Sequence, residues 1–366
     1  MPNRQRSIPL RLTVLAAALG LAAPAAAEIT VSPNLSVMYD VTSVDSDTYD
    51  YGDTIDRFRR FRPGLTVGVD GEWALKLEHD LADRSAPEAS LQVNLGEGDM
   101  LRIGQFKQPF LMEDAISDKQ TPFLEQSLAG TLSLGRRLGV GLERVRPDWT
   151  LAGSLIGQRL DGTQERVGVT SRATRVLWRD GDALLHVGGS LAWENNEFGS
   201  FRVNSRPENY FATRSLVDTG TLADVDTVGR GGLEAVWLNG PFSVQGELVA
   251  VHATRETGTG TGFDGSGGSL VLGWSPTGHR RGYSKGVLGA PATEGRQAVE
   301  LFARLSTLDL NDGAVRGGRE TNASLGVAWY PIDHVRVMAN WIHVDSDRRG
   351  VSDDPSIASL RLQIVF

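Results

Sequence analysis

Over most of the chain, apolar and polar positions alternate with a period of two, the spacing of strands with two unlike faces. Trp73, Leu75 and Leu77 fall on one face, and Lys76, Glu78 and Asp80 on the other. Val299, Leu301, Ala303 and Leu305 alternate with Glu300, Phe302, Arg304 and Ser306, and Val335, Val337, Ala339 and Trp341 with Arg336, Met338 and Asn340. Helical spacing fits none of these segments.

Short connections carry turn chemistry: Asp70-Gly71, Gly96-Glu97-Gly98, Arg146-Pro147-Asp148, Asp180-Gly181-Asp182, Asn239-Gly240-Pro241 and Pro331-Ile332-Asp333. Between them lie long polar connections at 41–56, 107–136, 195–229, 311–320 and 346–356. The stretch 275–295 is long where the alternation calls for a short turn. About 16 antiparallel strands follow, with both ends on the side of the short turns. An even strand number with short turns at one rim and long loops at the other is the pattern of a bacterial transmembrane barrel. A soluble β-sandwich would not sort its connections so regularly.

The tryptophans favour lipid over water. Of 8, Trp73, Trp149, Trp178, Trp237, Trp274 and Trp329 lie close to short connections, while Trp193 and Trp341 lie toward the other ends. All but Trp178 share parity with apolar neighbours. An indole is most stable at headgroup level, its ring in hydrocarbon and its N–H wet. The last strand, Ala358, Leu360, Leu362, Ile364 and Phe366, alternates to an aromatic terminus.

Composition changes the picture only in part. Mean hydropathy is -0.20, but a barrel hides its apolar face in such an average. There is no Cys, which removes disulfides, thiol chemistry and a lipidated Cys anchor. Arg4, Arg6 and Arg11 precede the short apolar run Leu12–Leu21 and the small residues Ala25-Ala26-Ala27. This predicts a signal peptide over 1–27 and an outer-membrane barrel over 28–366. The run falls short of the roughly 20 residues of a spanning helix. Export of such a chain places it in the outer membrane of a Gram-negative cell.

Net charge is -8, or -11 without the three leader arginines. Much of the acid lies in outer loops, at Asp45, Asp47, Asp50, Asp53 and Asp56, and at Asp347, Asp353 and Asp354. The 45–56 segment lacks the Gly and terminal Glu spacing of a calcium loop, and no other metal or cofactor is expected. Of 37 basic residues, four are Lys and 33 are Arg, a bias that codon usage alone could produce. Position sharpens it: parity turns Arg60, Arg62, Arg102, Arg304, Arg336 and Arg361 into the lumen. A bulge at Pro63-Gly64 would reset that parity and leaves Arg57 and Arg59 open. Basic residues lining a water-filled pore select anions, and guanidinium offers paired donors to phosphate oxygens. The third loop, 107–136, is too apolar to float in water. It either folds into the lumen or packs on a neighbouring subunit. The 6 His are scattered, with no Ser or Asp at the spacing a hydrolase needs.

Three stretches resemble the phosphate-selective porin O and P family. They are Gly104-Gln105-Phe106-Lys107-Gln108-Pro109-Phe110, Phe123-Leu124-Glu125-Gln126-Ser127 and Gly135-Arg136-Arg137-Leu138-Gly139-Val140-Gly141. Ser205-Arg206-Pro207-Glu208, Leu216-Val217-Asp218-Thr219-Gly220, the stretch Leu305–Gly313 and Asn340-Trp341-Ile342-His343-Val344-Asp345 continue it in family order. The resemblance implies a homotrimeric 16-stranded barrel with an inward third loop. It also implies an arginine ladder leading phosphate or other small anions to a central lysine. By motif, Arg59 and Arg60, after Phe58, are ladder candidates. Lys119 matches the basic loop position, and Arg202, Arg206 and Arg214 match further ladder positions. The sequence departs from the family by placing Asp118 beside Lys119. A general, weakly selective porin and a non-conducting structural barrel are therefore the alternatives. Expected partners are the anions, outer-membrane lipid and lipopolysaccharide, and the barrel-assembly machinery through Phe366. No nucleic acid and no catalysis are expected.

Overall fold

The computed structural model describes residues 28–163, 166–255 and 262–366. The expected signal peptide over 1–27 lies outside the described residues. Sixteen long strands form one sheet: β1 (Ile29–Asp45), β2 (Ile55–Val69), β3 (Trp73–Asp80), β4 (Ser85–Gly96), β5 (Asp99–Lys107), β6 (Arg136–Val145), β7 (Trp149–Ile156), β8 (Val167–Asp180), β9 (Ala183–Phe201), β10 (Leu222–Asn239), β11 (Phe242–Arg255), β12 (Phe263–Trp274), β13 (Ala298–Asp312), β14 (Val315–Ile332), β15 (Val335–Arg348) and β16 (Ser356–Val365). Each pairs antiparallel with its sequence neighbours. β16 closes the sheet on β1, from Ser36 opposite Val365 to Asp45 opposite Ser356. Closure leaves the sheet without a free edge strand, which a hydrocarbon environment requires. Phe366 and Leu35 exchange backbone hydrogen bonds at 2.9 and 3.0 Å, sealing the seam.

The two faces of the wall differ as the alternation predicts. On β13, Leu301 and Leu305 are exposed while Glu300, Phe302, Arg304 and Ser306 are buried. On β15, Trp341 is exposed while Arg336, Met338 and Asn340 are buried. Seven of the 8 tryptophans are exposed with the leucines, and Trp73 is half-buried. Trp178 joins them because Leu177 is an extra residue between Val176, opposite His186, and Trp178, opposite Leu185. Leu177 and Trp178 are both exposed while Val176 is buried. A bulge of this kind puts two consecutive side chains on one face.

Short reversals sit where turn residues were read. Gly71 and Gly240 take φ of +73° and +53°, a region that favours glycine. Three connections differ from expectation, the first being 346–356, where Ser346–Arg348 of β15 pairs with Val351–Asp353 around a tight reversal. The 311–320 stretch is not a long loop, since β13 and β14 stay paired to Asp312 opposite Val315; the polar ladder simply continues past the apolar band. The stretch 275–295 folds back as a small hairpin, Arg281–Ser284 with Val287–Pro291.

The connection between β5 and β6 carries the helix α1 (Met112–Ala115) and a 3₁₀ turn at Leu128–Leu132. Phe110, Leu111, Leu128 and Leu132 are buried in one cluster with Val228, Val249, Val251, Phe263 and Leu308 of the wall. Phe123 and Leu124 cluster with Phe302, Tyr330 and Met338, and Met112 and Ile116 with Val236, Leu238 and Leu288. Those partners are buried rather than exposed residues of their strands, which explains the apolar side chains that seemed misplaced in a loop.

Candidate functional site

The cation-rich site begins with a backbone irregularity in β2. Met38 of β1 stands opposite Arg60, and the next residue, Tyr39, opposite Phe58, so Arg59 is an extra residue. The ladder runs unbroken through Pro63 and Gly64, so the bulge lies at Arg59 and not at Pro63-Gly64. It brings Arg59, Arg60 and Arg62 to one face, with Phe58 and Phe61 exposed on the other.

These arginines border a cavity of about 280 Å³. Its basic lining is Arg59, Arg60, Arg62, Lys107, Arg136, Arg159 and Arg361; its carboxylates are Asp83, Asp114, Asp118 and Glu125. Seven cations face four anions, an excess of three. Glu125 takes a forked bond from Arg59, at 2.6 and 3.0 Å, and lies 3.1 Å from Arg361. Asp118 lies 3.1 Å from Arg60, 3.3 Å from Arg62 and 3.0 Å from Lys107. Arg361 also forks onto Asp40, at 2.6 and 2.7 Å. Arg136 makes no ion pair among the described residues and leaves its Nε without a partner.

The loop carboxylates titrate accordingly. Burial works to raise the Asp118 carboxyl, but Lys107, Arg60, Arg136 and Arg62 outweigh it and hold it well below the usual range. Burial likewise opposes ionisation of Glu125, but Arg59 and then Arg361 bring it down to about 2. Both are therefore charged at neutral pH.

The other sequence candidates fall in different places. Arg102 lies over the Phe106 ring at 5.2 Å, outside the cavity lining. Lys119 is half-buried; its carbonyl accepts Gln363 Nε2 at 3.0 Å, and its side chain does not line the cavity. Arg202 pairs with Asp218 at 2.6 Å. Arg206 donates to the Tyr210 carbonyl at 2.5 Å, and Arg214 stands 4.5 Å from the Tyr49 ring. Arg304 and Arg336 are buried against the third loop, donating to Glu125 O at 3.0 Å and Thr121 O at 2.7 Å. Lys107 and Arg136 were not singled out from sequence. They close β5 and open β6 with the parity of the exposed Ile103 and of the exposed Val140 and Leu142, so strand alternation alone turns neither of them inward.

A second basic recess is lined by Arg137, Arg159, Arg166, Arg202 and Arg230. The buried carboxylate of Glu194 joins Arg137 at 2.7 Å, Arg166 at 3.4 Å and Arg230. Arg159 lines both spaces.

A closed 16-strand barrel with exposed leucines and tryptophans and a charged inner face is the architecture of an outer-membrane porin. Residues 31–366 match the phosphate-selective porin O and P family, and the chain belongs to it. It is 28% identical over 338 residues to an uncharacterised protein of Caulobacter vibrioides, covering 84% of this chain and 68% of that one. It is 28% identical over 218 residues to porin O of Pseudomonas aeruginosa, covering 50% of this chain and 49% of the relative. Among solved structures, OmpT of Vibrio cholerae matches with a TM-score of 0.61 at 15% identity, over 92% of this chain and 98% of that one. An anion-selective porin from Comamonas acidovorans matches at 0.56 and 11% identity, over 93% and 100%. At these identities the two structures show the fold alone. The protein is an outer-membrane porin, and family and fold indicate a channel rather than an enzyme.

Proposed function

We propose that the channel prefers anions, phosphate among them, and that the third loop lies in the lumen and narrows it. The observation that carries this reading is the cavity beside the loop, where seven cations face four carboxylates. At a constriction the local charges decide. Two charges about 4 Å apart interact by about 4 kcal/mol at an effective dielectric of 20. Loop carboxylates farther off than about 8 Å are largely screened at physiological salt. Arg59, Arg60, Arg62, Lys107, Arg136 and Arg361 form the path, Arg136 being the cation left open to a passing ion. Arg102, Lys119, Arg202, Arg206 and Arg214 act as outlying attractors.

A second reading, a weakly selective porin, is favoured by one observation: Asp118 already engages Lys107, Arg60 and Arg62. Phosphate titration separates the two. Saturable loss of chloride conductance as phosphate is added supports the first. An undiminished chloride current across the range leaves the second. The family and the trimer form of Vibrio OmpT support a homotrimer. Lipid and lipopolysaccharide would meet the exposed leucines, and the assembly machinery would meet Phe366. Removal of 1–27 on export completes the proposal.

A further inference from the structure

The arginines that parity turns inward do not all face open space. Residues 119–125 lie between α1 and the 3₁₀ turn, and the carbonyls of a segment without regular structure need donors from elsewhere when buried. Arginines of the wall, and Arg281 of the small hairpin, supply them. Arg281 Nη2 donates to Gln120 O at 2.6 Å, Arg336 Nη2 to Thr121 O at 2.7 Å, Arg361 Nη1 to Leu124 O at 2.7 Å, and Arg304 Nη1 to Glu125 O at 3.0 Å.

We infer that Arg281, Arg304 and Arg336 are positioning residues that clamp the third loop by its carbonyls, while the permeating anion is handled by the cluster around Arg60 and Arg62. Arg361 belongs to both sets, since it also lines the cavity. This division rests on the channel reading above. A guanidinium suits the clamp because it donates in several directions at once and its bonds to carbonyl oxygen are charge-assisted. Arg304 shows this reach: it also bonds Glu208 at 2.5 Å and lies 4.2 Å from the Phe123 ring. Arg281 pairs with Glu300 at 3.3 Å. None of the three borders the cavity, and all are at least nine-tenths buried, at 5%, 4% and 2% exposure. The clamped segment ends at Glu125, which holds Arg59. The clamp therefore sets one wall of the cavity without lending it charge.

Arg336→Gln tests this with little risk to folding, because Thr121 O is the sole hydrogen-bond acceptor of Arg336 among the described residues. Single channels of Arg336→Gln and Arg62→Gln are compared with wild type in a KCl gradient, for open-channel noise and for zero-current potential. The clamp requires noise to rise several-fold in Arg336→Gln while its zero-current potential stays at the wild-type value. Arg62→Gln should instead stay quiet and shift its potential toward that of the cation. A quiet Arg336→Gln channel whose potential shifts as far as that of Arg62→Gln overturns the inference, placing Arg336 in the ion path. If wild type itself shows no anion preference, the channel reading fails, but the noise comparison still tests the clamp. Should Arg336→Gln fail to assemble, Arg281→Gln, which removes the donor to Gln120 O and likewise lies outside the cavity lining, replaces it under the same criteria.

Discussion

Lys107 Nζ stands 3.0 Å from Asp118 Oδ1. The two residues lie eleven apart, Lys107 as the last residue of β5 and Asp118 in the loop that follows, and their contact ties the loop to the wall where Arg60 and Arg62 also converge. Asp118 thus both holds the loop and offsets part of the cavity's positive charge. Asp118→Asn is expected to strengthen anion preference, since seven cations would face three carboxylates. It should also cost roughly 2 kcal/mol of stability through lost charge-assisted bonds. Zero-current potential and the thermal midpoint of barrel unfolding check the two effects.

Charge reversal at the two lysines should rank them. Lys107 lines the cavity and Lys119 does not. Lys107→Glu is expected to abolish or invert the preference, and Lys119→Glu to reduce it by less. Equal shifts in zero-current potential would return Lys119 to the constriction.

The pH dependence follows from the two loop carboxyls. Glu125 lies at about 2 instead of 4.5, and Asp118 is also depressed. A depressed carboxyl contributes stability that is fully present above its ordinary value and is lost as pH falls through the folded value. Neither group gains a proton between pH 7 and about 5. Zero-current potential and loop anchoring should therefore stay flat over that window. Stability should then decline as pH falls from about 4.5 toward about 2. A change in selectivity near pH 6 would point to another titrating group.

Tryptophan emission reports the orientation of the wall. With seven indoles exposed on the leucine face, lipids brominated near the headgroup should quench strongly, and lipids brominated at mid-chain less so. Quenching by aqueous iodide with bromolipids inert would put the rings on the wrong face.

Much of the wall was legible because a period of two encodes it directly. Leu301 against Arg304, and Trp341 against Arg336, needed only parity. The bulges at Arg59 and Leu177 were not legible, because an extra residue in one strand depends on its partner's register and has no residue signature of its own. Hence Trp178 looked anomalous, and the bulge in β2 was sought at Pro63-Gly64. The third loop's apolar composition signalled burial, but not which carbonyls would need donors. Arg304 and Arg336 could be placed on the inner face, but not assigned between lining a cavity and holding a loop. Arg361 was placed inward, yet its bonds to Asp40 and Glu125 join residues 321 and 236 positions apart. Such contacts exist only once the barrel closes.

The zero-current potential of the wild-type channel in a KCl gradient tests the central claim most directly. Anion preference, in a chain carrying net negative charge, would show that the cluster around Arg60, Arg62 and Lys107 governs permeation. A potential on the cation side would contradict the account, because the bulk charge of the loops would then outweigh the cavity.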